Sequence, residues 1–306
     1  MKNIIRIATR KSPLALWQTE HIKNLLLKIN PELEIHFVGL STQGDREQKK
    51  ALTNIGGKSL FVKELQKALL ENDADIAVHS IKDMSVNDSP GLTLAAICER
   101  EDPRDAFVSN DYKTIEALPN NAIVGTASPR RSALLKALRP DINIKLLRGN
   151  VGTRLEKCAC GEYDGTILAA AGLKRLALEK HITQFLSIDT FIPAIGQGAI
   201  GIECREGDNT LKALLQNINH ITTAQSVTAE RAVNRILGGD CYTPIAAHAT
   251  VNDKTLTLNA MVGSLDGTTI ITSKTSGAAS DATLLGEQVG KELLKKGAAA
   301  LLNQKD

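Results

Sequence analysis

Aromatic residues are scarce in this chain, which limits the ligands that it can bind by stacking. Only 3% of the 306 residues are Phe, Trp or Tyr. Proteins that bind single-stranded nucleic acid stack bases on aromatic side chains, and so few aromatic residues cannot line such a groove. The net charge of +3 is also too small for a dedicated nucleic-acid binder. We therefore expect no nucleic-acid partner.

Long apolar runs and a secretory leader are missing as well. No stretch approaches the roughly 20 apolar residues of a membrane span. The first segment, MKNIIRIATRKSPLALW, is interrupted by Arg6, Arg10 and Lys11, whereas a signal peptide has an unbroken apolar region. The five cysteines are an odd number, which is typical of reduced thiols in a cytosol. We expect a cytoplasmic protein without membrane attachment.

What the chain does contain is typical of a soluble globular protein. Apolar residues make up 42% and charged residues 23%, so disorder, collagen and coiled coil are excluded as the main architecture. At roughly 150 residues per domain, the length predicts two or three domains.

Hydrophobic periodicity predicts two α/β units followed by a smaller α+β unit. In the first unit, Ser12-Pro13 begins a helix that runs to about residue 29, with Ser as N-cap and Pro in the first helical position. In the second unit, Ser128-Pro129 begins a helix in the same setting. The predicted strands of these units are 3–9, 34–40, 75–81, 122–127 and 142–149, with a further helix at 61–72 and a charged turn at 99–107.

The hydrophobic pattern of the sequence changes at about residue 222. A helix comes first, then three alternating runs at 245–251, 255–262 and 268–274, and a last helix from about 281. This order predicts a small domain with a three-stranded antiparallel sheet.

Two glycine motifs partly match the sequence patterns of nucleotide-binding sites. Gly196, Gly198 and Gly201 match G-x-G-x-x-G, but IGIECR continues as a strand where that fingerprint requires a helix. Gly57-Lys58-Ser59 resembles the end of a phosphate loop, but its first glycine is replaced by Leu52. We expect closely packed backbone at the first motif and a mobile lid at 53–60.

Two other features have structural explanations. Cys158 and Cys160 have no partner pair at zinc spacing, so no metal is expected. His79, at the end of a strand, is interpreted as a hydrogen-bonded structural residue.

Basic residues concentrate in one part of this nearly neutral chain. Residues 128–157 hold eight Lys or Arg and two acids. Arg130, Arg131 and Arg154 fall in first turns of helices and Arg148 at the end of a strand, where an open α/β sheet binds ligands. With Arg10 and Lys11 from the first unit, they indicate a cleft for a polyanion, because arginine binds carboxylate and phosphate in bidentate fashion. The alternative is a solvated basic face.

Two residues differ in chemistry from this basic group. Asp83 is a carboxylate at the end of a strand beside Lys82, suited to holding a substrate N–H and stabilising developing positive charge, or else pairing locally. Cys241 lies in the glycine-rich loop GGDCYTP and is displayed, whereas Cys98 and Cys204 lie in apolar runs and are expected to be buried. Asp240 disfavours the thiolate, so an attachment point suits Cys241 better than a fast nucleophile.

The chain resembles the porphobilinogen deaminases, also called hydroxymethylbilane synthases, over nearly its whole length. The resemblance depends on motifs in family order: IATRKSPLALWQ, GKSLFVKELQKALLENDADIAVHSIKDM, EREDPRDAFVS, VGTASPRRSALL, LLRGNVGTRLEK, LAAAGLKRL, IPAIGQGAIGIECR and the cysteine loop. The resemblance implies two α/β domains like periplasmic binding proteins plus a small α+β domain. It places the domains at 1–99 with 198–218, at 104–193 and at 222–306.

The resemblance also implies an activity. Family members are transferases of haem and other tetrapyrrole biosynthesis that join four porphobilinogens head to tail, release ammonia at each step and form hydroxymethylbilane. They work in the cytoplasm, as monomers, without a metal. They carry a dipyrromethane cofactor as a thioether on the loop cysteine, here Cys241.

The same resemblance implies roles for individual residues. Asp83 is the catalytic carboxylate and, with Cys241, contacts the cofactor. The other residues implied to bind the cofactor are Lys82, Thr126, Ser128, Arg130 and Arg131. Those implied to bind substrate are Arg10, Ser12, Arg148 and Arg154.

Three departures from the family pattern affect rate and loop mobility more than function. The cysteine loop reads GGDCYTP where the pattern is closer to GGCQVP, Ser59 replaces a glycine, and Pro129 replaces a leucine. Two other functions remain as alternatives: an anion-binding sensor of two α/β lobes without turnover, and a nucleotide-dependent enzyme.

Overall fold

The computed structural model describes residues 4–41, 62–239 and 243–302. Its strands are β1 (Ile4–Arg10), β2 (Glu34–Leu40), β3 (Ile76–Ser80), β4 (Leu92–Ile97), β5 (Asp105–Val108), β6 (Ile123–Gly125), β7 (Asn143–Lys145), β8 (Gly165–Ala169), β9 (Gln184–Phe185), β10 (Ile200–Arg205), β11 (Ile245–Asn252), β12 (Thr255–Gly263) and β13 (Ile270–Ala278). Its α-helices are α1 (Pro13–Ile29), α2 (Lys63–Leu70), α3 (Pro129–Leu138), α4 (Val151–Ala159), α5 (Ala170–Arg175), α6 (Asn209–Leu215), α7 (Ile221–Leu237), α8 (Ala282–Lys295) and α9 (Ala298–Leu302). None of the helices in these ranges is long and apolar enough to cross a membrane.

The first two sheets share one topology. The order in the first is β2-β1-β3-β10-β4, and in the second it is β7-β6-β8-β5-β9. In each, the first three strands of the order are parallel, and the strand beside the third runs antiparallel to both its neighbours. That antiparallel strand arrives by a crossover from the other sheet, so the chain passes twice between the two α/β domains. We call residues 98–104 the first crossover and residues 186–199 the second crossover.

The third sheet is an antiparallel meander, β11-β12-β13, covered by α7 and α8. Ala229 and Val233 of α7 pack into its core with Leu258 and Val289. On another side of the same helix, Val227 packs with Ile81, Ile97 and Ala199 of the first domain. The prediction of two α/β domains and a small α+β domain is therefore confirmed, and α7 joins the third domain to the first.

Both Ser-Pro helix starts have the predicted geometry. Ser12 is the N-cap of α1, where its Oγ accepts a hydrogen bond from Ala15 N (3.3 Å), and Ser128 caps α3 by accepting from Arg131 N (3.4 Å). Such caps satisfy N–H groups that have no partner inside the helix. The chain thus turns from strand to helix in the same way at both sites.

The element boundaries need two corrections. The predicted charged turn at 99–107 ends at residue 104, because Asp105 begins the buried strand β5, where two arginines neutralise it. The predicted strand at 142–149 is only Asn143–Lys145. The last backbone contacts with the end of β6 are Thr126 N to the Lys145 carbonyl (3.0 Å) and Leu147 N to the Thr126 carbonyl (3.4 Å), and the chain then turns at Gly149, with φ of 119°, into α4. Arg148 therefore follows the strand instead of ending it.

Candidate functional site

A cavity of about 710 Å³ lies where the three domains meet. Its walls come from the end of β1 and start of α1, the turn after β3, the starts of α3 and α4, and the C-terminal part of α7. This volume lies in the range of sites for small organic ligands. Nine of the predicted site residues line it: Arg10, Ser12, Lys82, Asp83, Ser128, Arg130, Arg131, Arg148 and Arg154.

The described walls of this cavity are strongly cationic. Ten basic side chains line it: Arg10, Lys11, Lys82, Arg130, Arg131, Arg148, Arg154, Arg175, Arg231 and Arg235. Asp83 is the only acidic side chain among the described lining residues. This excess of positive charge favours a ligand with several carboxylates or phosphates.

Asp83 and Lys82 lie in a 3₁₀ turn, Ile81–Asp83, at the end of β3. Ile81 is buried and its N–H donates to the Ala199 carbonyl of the second crossover (3.1 Å). A Cβ added to Gly196 or Gly201 would overlap the Ile81 side chain. These glycines allow the second crossover and β10 to pack against the turn, which confirms close packing for the G-x-G-x-x-G motif.

Lys82 has an unusually low pKa, about 8. Burial is the main cause, and Arg131 and Arg130 lower the pKa further, while Asp83 and Asp105 raise it. Its ammonium group therefore loses its proton as the pH rises through about 8, at a lower pH than an ordinary lysine.

Arg130 and Arg131 share one carboxylate, that of Asp105. Arg131 donates to Asp105 Oδ1 from Nε (3.0 Å) and Nη2 (2.7 Å), and Arg130 Nη1 lies 2.7 Å from Oδ2. Burial would raise the pKa of Asp105, but the two arginines outweigh it and lower that pKa to about 2. Sequence reasoning missed Asp105, although a charged residue in an apolar strand pattern is a signal for a buried ion pair.

Arg154 forms the opposite wall, on α4. Its Nε donates to the Gly149 carbonyl (2.9 Å) in the loop before the helix. Burial lowers its pKa to about 10, with a further lowering from Arg131 and Arg148 and an opposing effect from Asp83. Asp83 is thus electrostatically coupled to cations of both α/β domains, Lys82 and Arg154.

Thr126 lies behind the cavity wall. It is buried, does not line the cavity, and its Oγ1 accepts a hydrogen bond from Ser128 N (3.1 Å). It shapes the turn that presents Ser128. The predicted structural interpretation of His79 is confirmed, because its Nε2 lies 3.0 Å from Glu203 Oε2 in a buried pair.

Three lining cations were not predicted from the sequence. Arg175 ends α5, and its Nη2 donates to the Gly198 carbonyl (2.7 Å). Arg231 and Arg235 lie one turn apart on α7, and both donate from Nη2 to the Val86 carbonyl (3.2 and 3.3 Å). Like charges four residues apart destabilise a helix, and that spacing is the signal that could have identified the pair.

Cys241 lies outside the described residues, as do Ser59 and the predicted lid at 53–60. The residues on either side of 240–242 are Gly239 and Thr243, and both line the cavity. Gly238, which precedes Gly239, lines the cavity as well. It is the C-cap of α7 and has a left-handed conformation with φ of 69°. Cys98 and Cys204 are buried, as predicted.

Two protein-family models match the chain. The porphobilinogen deaminase dipyrromethane cofactor binding domain matches residues 5–213, and the porphobilinogen deaminase C-terminal domain matches residues 224–295. Together they cover all three sheets.

Solved structures with low sequence identity are also similar. A putative methionine-binding lipoprotein from Bacillus subtilis is 17% identical, with a TM-score of 0.46, over 72% of this chain and 91% of that one. The periplasmic VFT2 domain of Bordetella pertussis BvgS is 14% identical, with a TM-score of 0.44, over 71% and 86%. The aliphatic sulphonate binding protein SsuA from Escherichia coli is 16% identical, with a TM-score of 0.43, over 78% and 71%.

Proposed function

The chain belongs to the porphobilinogen deaminase family, and from that premise we propose which of its residues carry the reaction. The family's reaction is the polymerisation of porphobilinogen to hydroxymethylbilane in tetrapyrrole synthesis, with a dipyrromethane cofactor. We propose the full hydroxymethylbilane synthase activity: four head-to-tail condensations, each with release of ammonia.

The observation that carries this proposal is the charge of the cavity. Ten cations surround a single described carboxylate, Asp83. Each porphobilinogen unit brings an acetate and a propionate arm, so a growing chain adds two negative charges per step. A site for such a chain needs many cations with few competing acids, and this inventory fits that need.

Asp83 is proposed as the catalytic carboxylate. It is the described acidic group of the cavity, and Lys82 and Arg154 beside it keep it surrounded by positive charge. A carboxylate in this position accepts hydrogen bonds from pyrrole N–H groups and stabilises the positive charge that develops on a ring as its amine leaves. The surrounding arginines hold the carboxylate arms and so orient each ring toward Asp83.

The residues around the cavity also fit the cofactor. The dipyrromethane supplies the first two rings onto which substrate units are added. We propose Cys241 as its attachment point, because the residues that flank 240–242 line the cavity. Lys82, Ser128, Arg130 and Arg131 would hold its arms, with Thr126 supporting Ser128.

Substrate would occupy the part of the cavity bounded by the other predicted residues. Arg10 and Ser12 line it from the end of β1 and the start of α1, and Arg148 and Arg154 line it from either side of the α4 N-terminus. These four side chains belong to two different domains. We propose that they bind the acetate and propionate arms of the incoming porphobilinogen.

We further propose domain boundaries at 1–99 with 198–218, at 104–193 and at 222–306. The crossovers between the first two sheets support the first two boundaries, since β10 returns to the first sheet. We also propose that the protein acts in the cytoplasm as a monomer, without a metal and without a nucleic-acid partner.

Intact mass spectrometry tests the function directly. The purified protein should exceed its sequence mass by one dipyrromethane, and it should release ammonia from porphobilinogen. Cys241→Ser should lack the mass increment and turnover, while Cys160→Ser, a change at an exposed cysteine, should keep both. An active wild-type protein without the increment, or tight anion binding without turnover, would refute the proposal.

A further inference from the structure

Asp105 lies under the cavity wall, between the two arginines proposed to hold the cofactor. It is fully buried and does not itself line the cavity, whereas Arg130 and Arg131 do. Ligand in the cavity therefore meets the guanidinium groups and not the carboxylate that holds them.

The contacts of Asp105 determine which parts of the two arginines remain for a ligand. Asp105 accepts hydrogen bonds from Nε and Nη2 of Arg131, and the Ile167 carbonyl accepts one from its Nη1 (2.8 Å). These contacts engage three of the five guanidinium N–H groups and leave two. Arg130 is held through Nη1 by Asp105 and the Ile192 carbonyl (2.8 Å), and within the described residues its Nε has no hydrogen-bond partner.

The charges of this group do not balance. Arg130 and Arg131 are 4% and 6% exposed, and among the described residues their ion pairs are with one carboxylate, so this group of three has one positive charge in excess in a buried position. An uncompensated buried charge is unfavourable, so this group has a built-in preference for one further carboxylate. Gln197 supports the arrangement from the second crossover, because its Nε2 donates to Asp105 Oδ1 (3.1 Å) and to the Pro103 carbonyl (2.7 Å).

We propose that Asp105 is a positioning residue that orients Arg130 and Arg131 as a pair and leaves them a single unit of positive charge for a ligand carboxylate. This inference rests on the proposed function, because it takes the ligand to be the carboxylate arms of the cofactor. Asparagine cannot replace Asp105 in this role. Asp105 Oδ1 accepts from three N–H groups, and Oδ2 lies 2.7 Å from the positively charged Arg130 Nη1 without a hydrogen bond in the described part of the chain, so an amide would point its NH₂ group at one or the other arginine.

Asp75 provides a matched control. Its carboxylate also holds two arginines, accepting from Arg6 Nε (3.0 Å) and from Arg205 Nη2 (3.3 Å), and it is also buried. Neither of its arginines lines the cavity. Asp75→Asn therefore removes a similar structural ion pair without touching the cavity.

The experiment compares Asp105→Asn, Asp75→Asn and wild type by intact mass, melting temperature, and KM and kcat for porphobilinogen. We expect both variants to melt earlier, but only Asp105→Asn to lose cofactor, with a loaded fraction reduced about 10-fold or more, the size expected for one charge-assisted hydrogen bond. Its remaining loaded molecules should show a raised KM with a smaller change in kcat. A folded Asp105→Asn that is fully loaded with wild-type KM overturns the proposal, and so does equal cofactor loss in Asp75→Asn.

A second variant covers the case in which Asp105→Asn fails to fold. Asp105→Glu keeps the charge but displaces both guanidinium groups, so partial cofactor loss is expected. Full loading with wild-type KM in Asp105→Glu would show that the position of the carboxylate is unimportant and overturn the proposal. If wild type itself carries no dipyrromethane, the proposed function fails instead, so the two failures are distinguishable.

Discussion

Asp83 is the side chain on which the proposed chemistry depends most. Asp83→Asn keeps the shape of the side chain but removes its negative charge, which is proposed to stabilise the positive charge that forms on the pyrrole ring as the amine leaves. We expect turnover to fall by about 100-fold or more, the usual contribution of a positioned acid–base or electrostatic group. The measurement is ammonia release from porphobilinogen by protein whose cofactor content has been determined by mass. Asp73→Asn, at an exposed residue ten positions earlier, should leave the rate unchanged.

Lys82 should make the positive charge around the cofactor arms, and through it kcat/KM, depend on pH. Its pKa of about 8 is below the ordinary 10.5, so its positive charge is present below that pH and is lost as the pH rises through it. Ligand carboxylates oppose the loss by favouring the protonated form. We expect kcat/KM of wild type to fall relative to that of Lys82→Arg between about pH 7 and 9.5, because arginine stays charged. Parallel pH profiles for the two proteins would contradict this assignment.

At the scale of single elements, the second crossover requires glycine at one position for two independent reasons. Gly198 has φ of 88°, and a Cβ there would collide with the Glu101 backbone carbonyl of the first crossover. Its own carbonyl accepts from Arg175 Nη2, so the backbone cannot shift without breaking this contact. The two crossovers therefore touch directly through backbone.

Gly198→Ala should accordingly destabilise the protein by at least about 3 kcal/mol, as the sum of a left-handed alanine and an overpacked contact. Gly161→Ala is the control. Gly161 has φ of 74° but open space around its Cβ position, so about 1 kcal/mol is expected there. The free energies of unfolding in urea decide the comparison, and equal losses would exclude the backbone collision as a cause.

At the scale of the whole molecule, one buried ion pair links the two crossovers between the α/β domains to the third domain. Arg100 of the first crossover donates to Glu230 of α7 from Nη1 (2.6 Å) and Nη2 (3.0 Å). The same fully buried carboxylate accepts from Gly196 N of the second crossover (2.7 Å) and from Ala249 N of the third sheet (2.8 Å). Both crossovers and the third domain thus depend on Glu230.

Glu230→Gln should reduce the free energy of unfolding by about 3–5 kcal/mol, because it leaves Arg100, whose side chain is only 10% exposed, without its counter-ion. Glu287→Gln breaks an exposed pair with Lys291 (3.7 Å) and should change stability by less than about 1 kcal/mol. The fluorescence of Trp17, the single tryptophan, suits the measurement, because Arg175 Cζ of the second domain lies 5.5 Å from the centre of this first-domain ring. A Glu230→Gln protein as stable as Glu287→Gln would refute the linking role.

Much of this molecule follows from local sequence signals. The periodicity and the Ser-Pro caps located α1 and α3, and the alternating runs located the third sheet, because such signals act within about ten residues. The concentration of arginines at helix starts was enough to identify one wall of the cavity. The family motifs then identified the chemistry.

Contacts between distant residues required the tertiary structure. Asp105 contacts Arg131 across 26 positions, and Arg100 contacts Glu230 across 130. No local pattern encodes such pairs, because they depend on how the sheets and crossovers pack. For the same reason, Arg231 and Arg235 became part of the cavity only once α7 was placed beside the first domain. The sequence by itself determined the helices, the strands and the concentration of basic residues in one part of the chain. Packing decided which arginines pair with a carboxylate of the protein and which positive charge remains for a ligand.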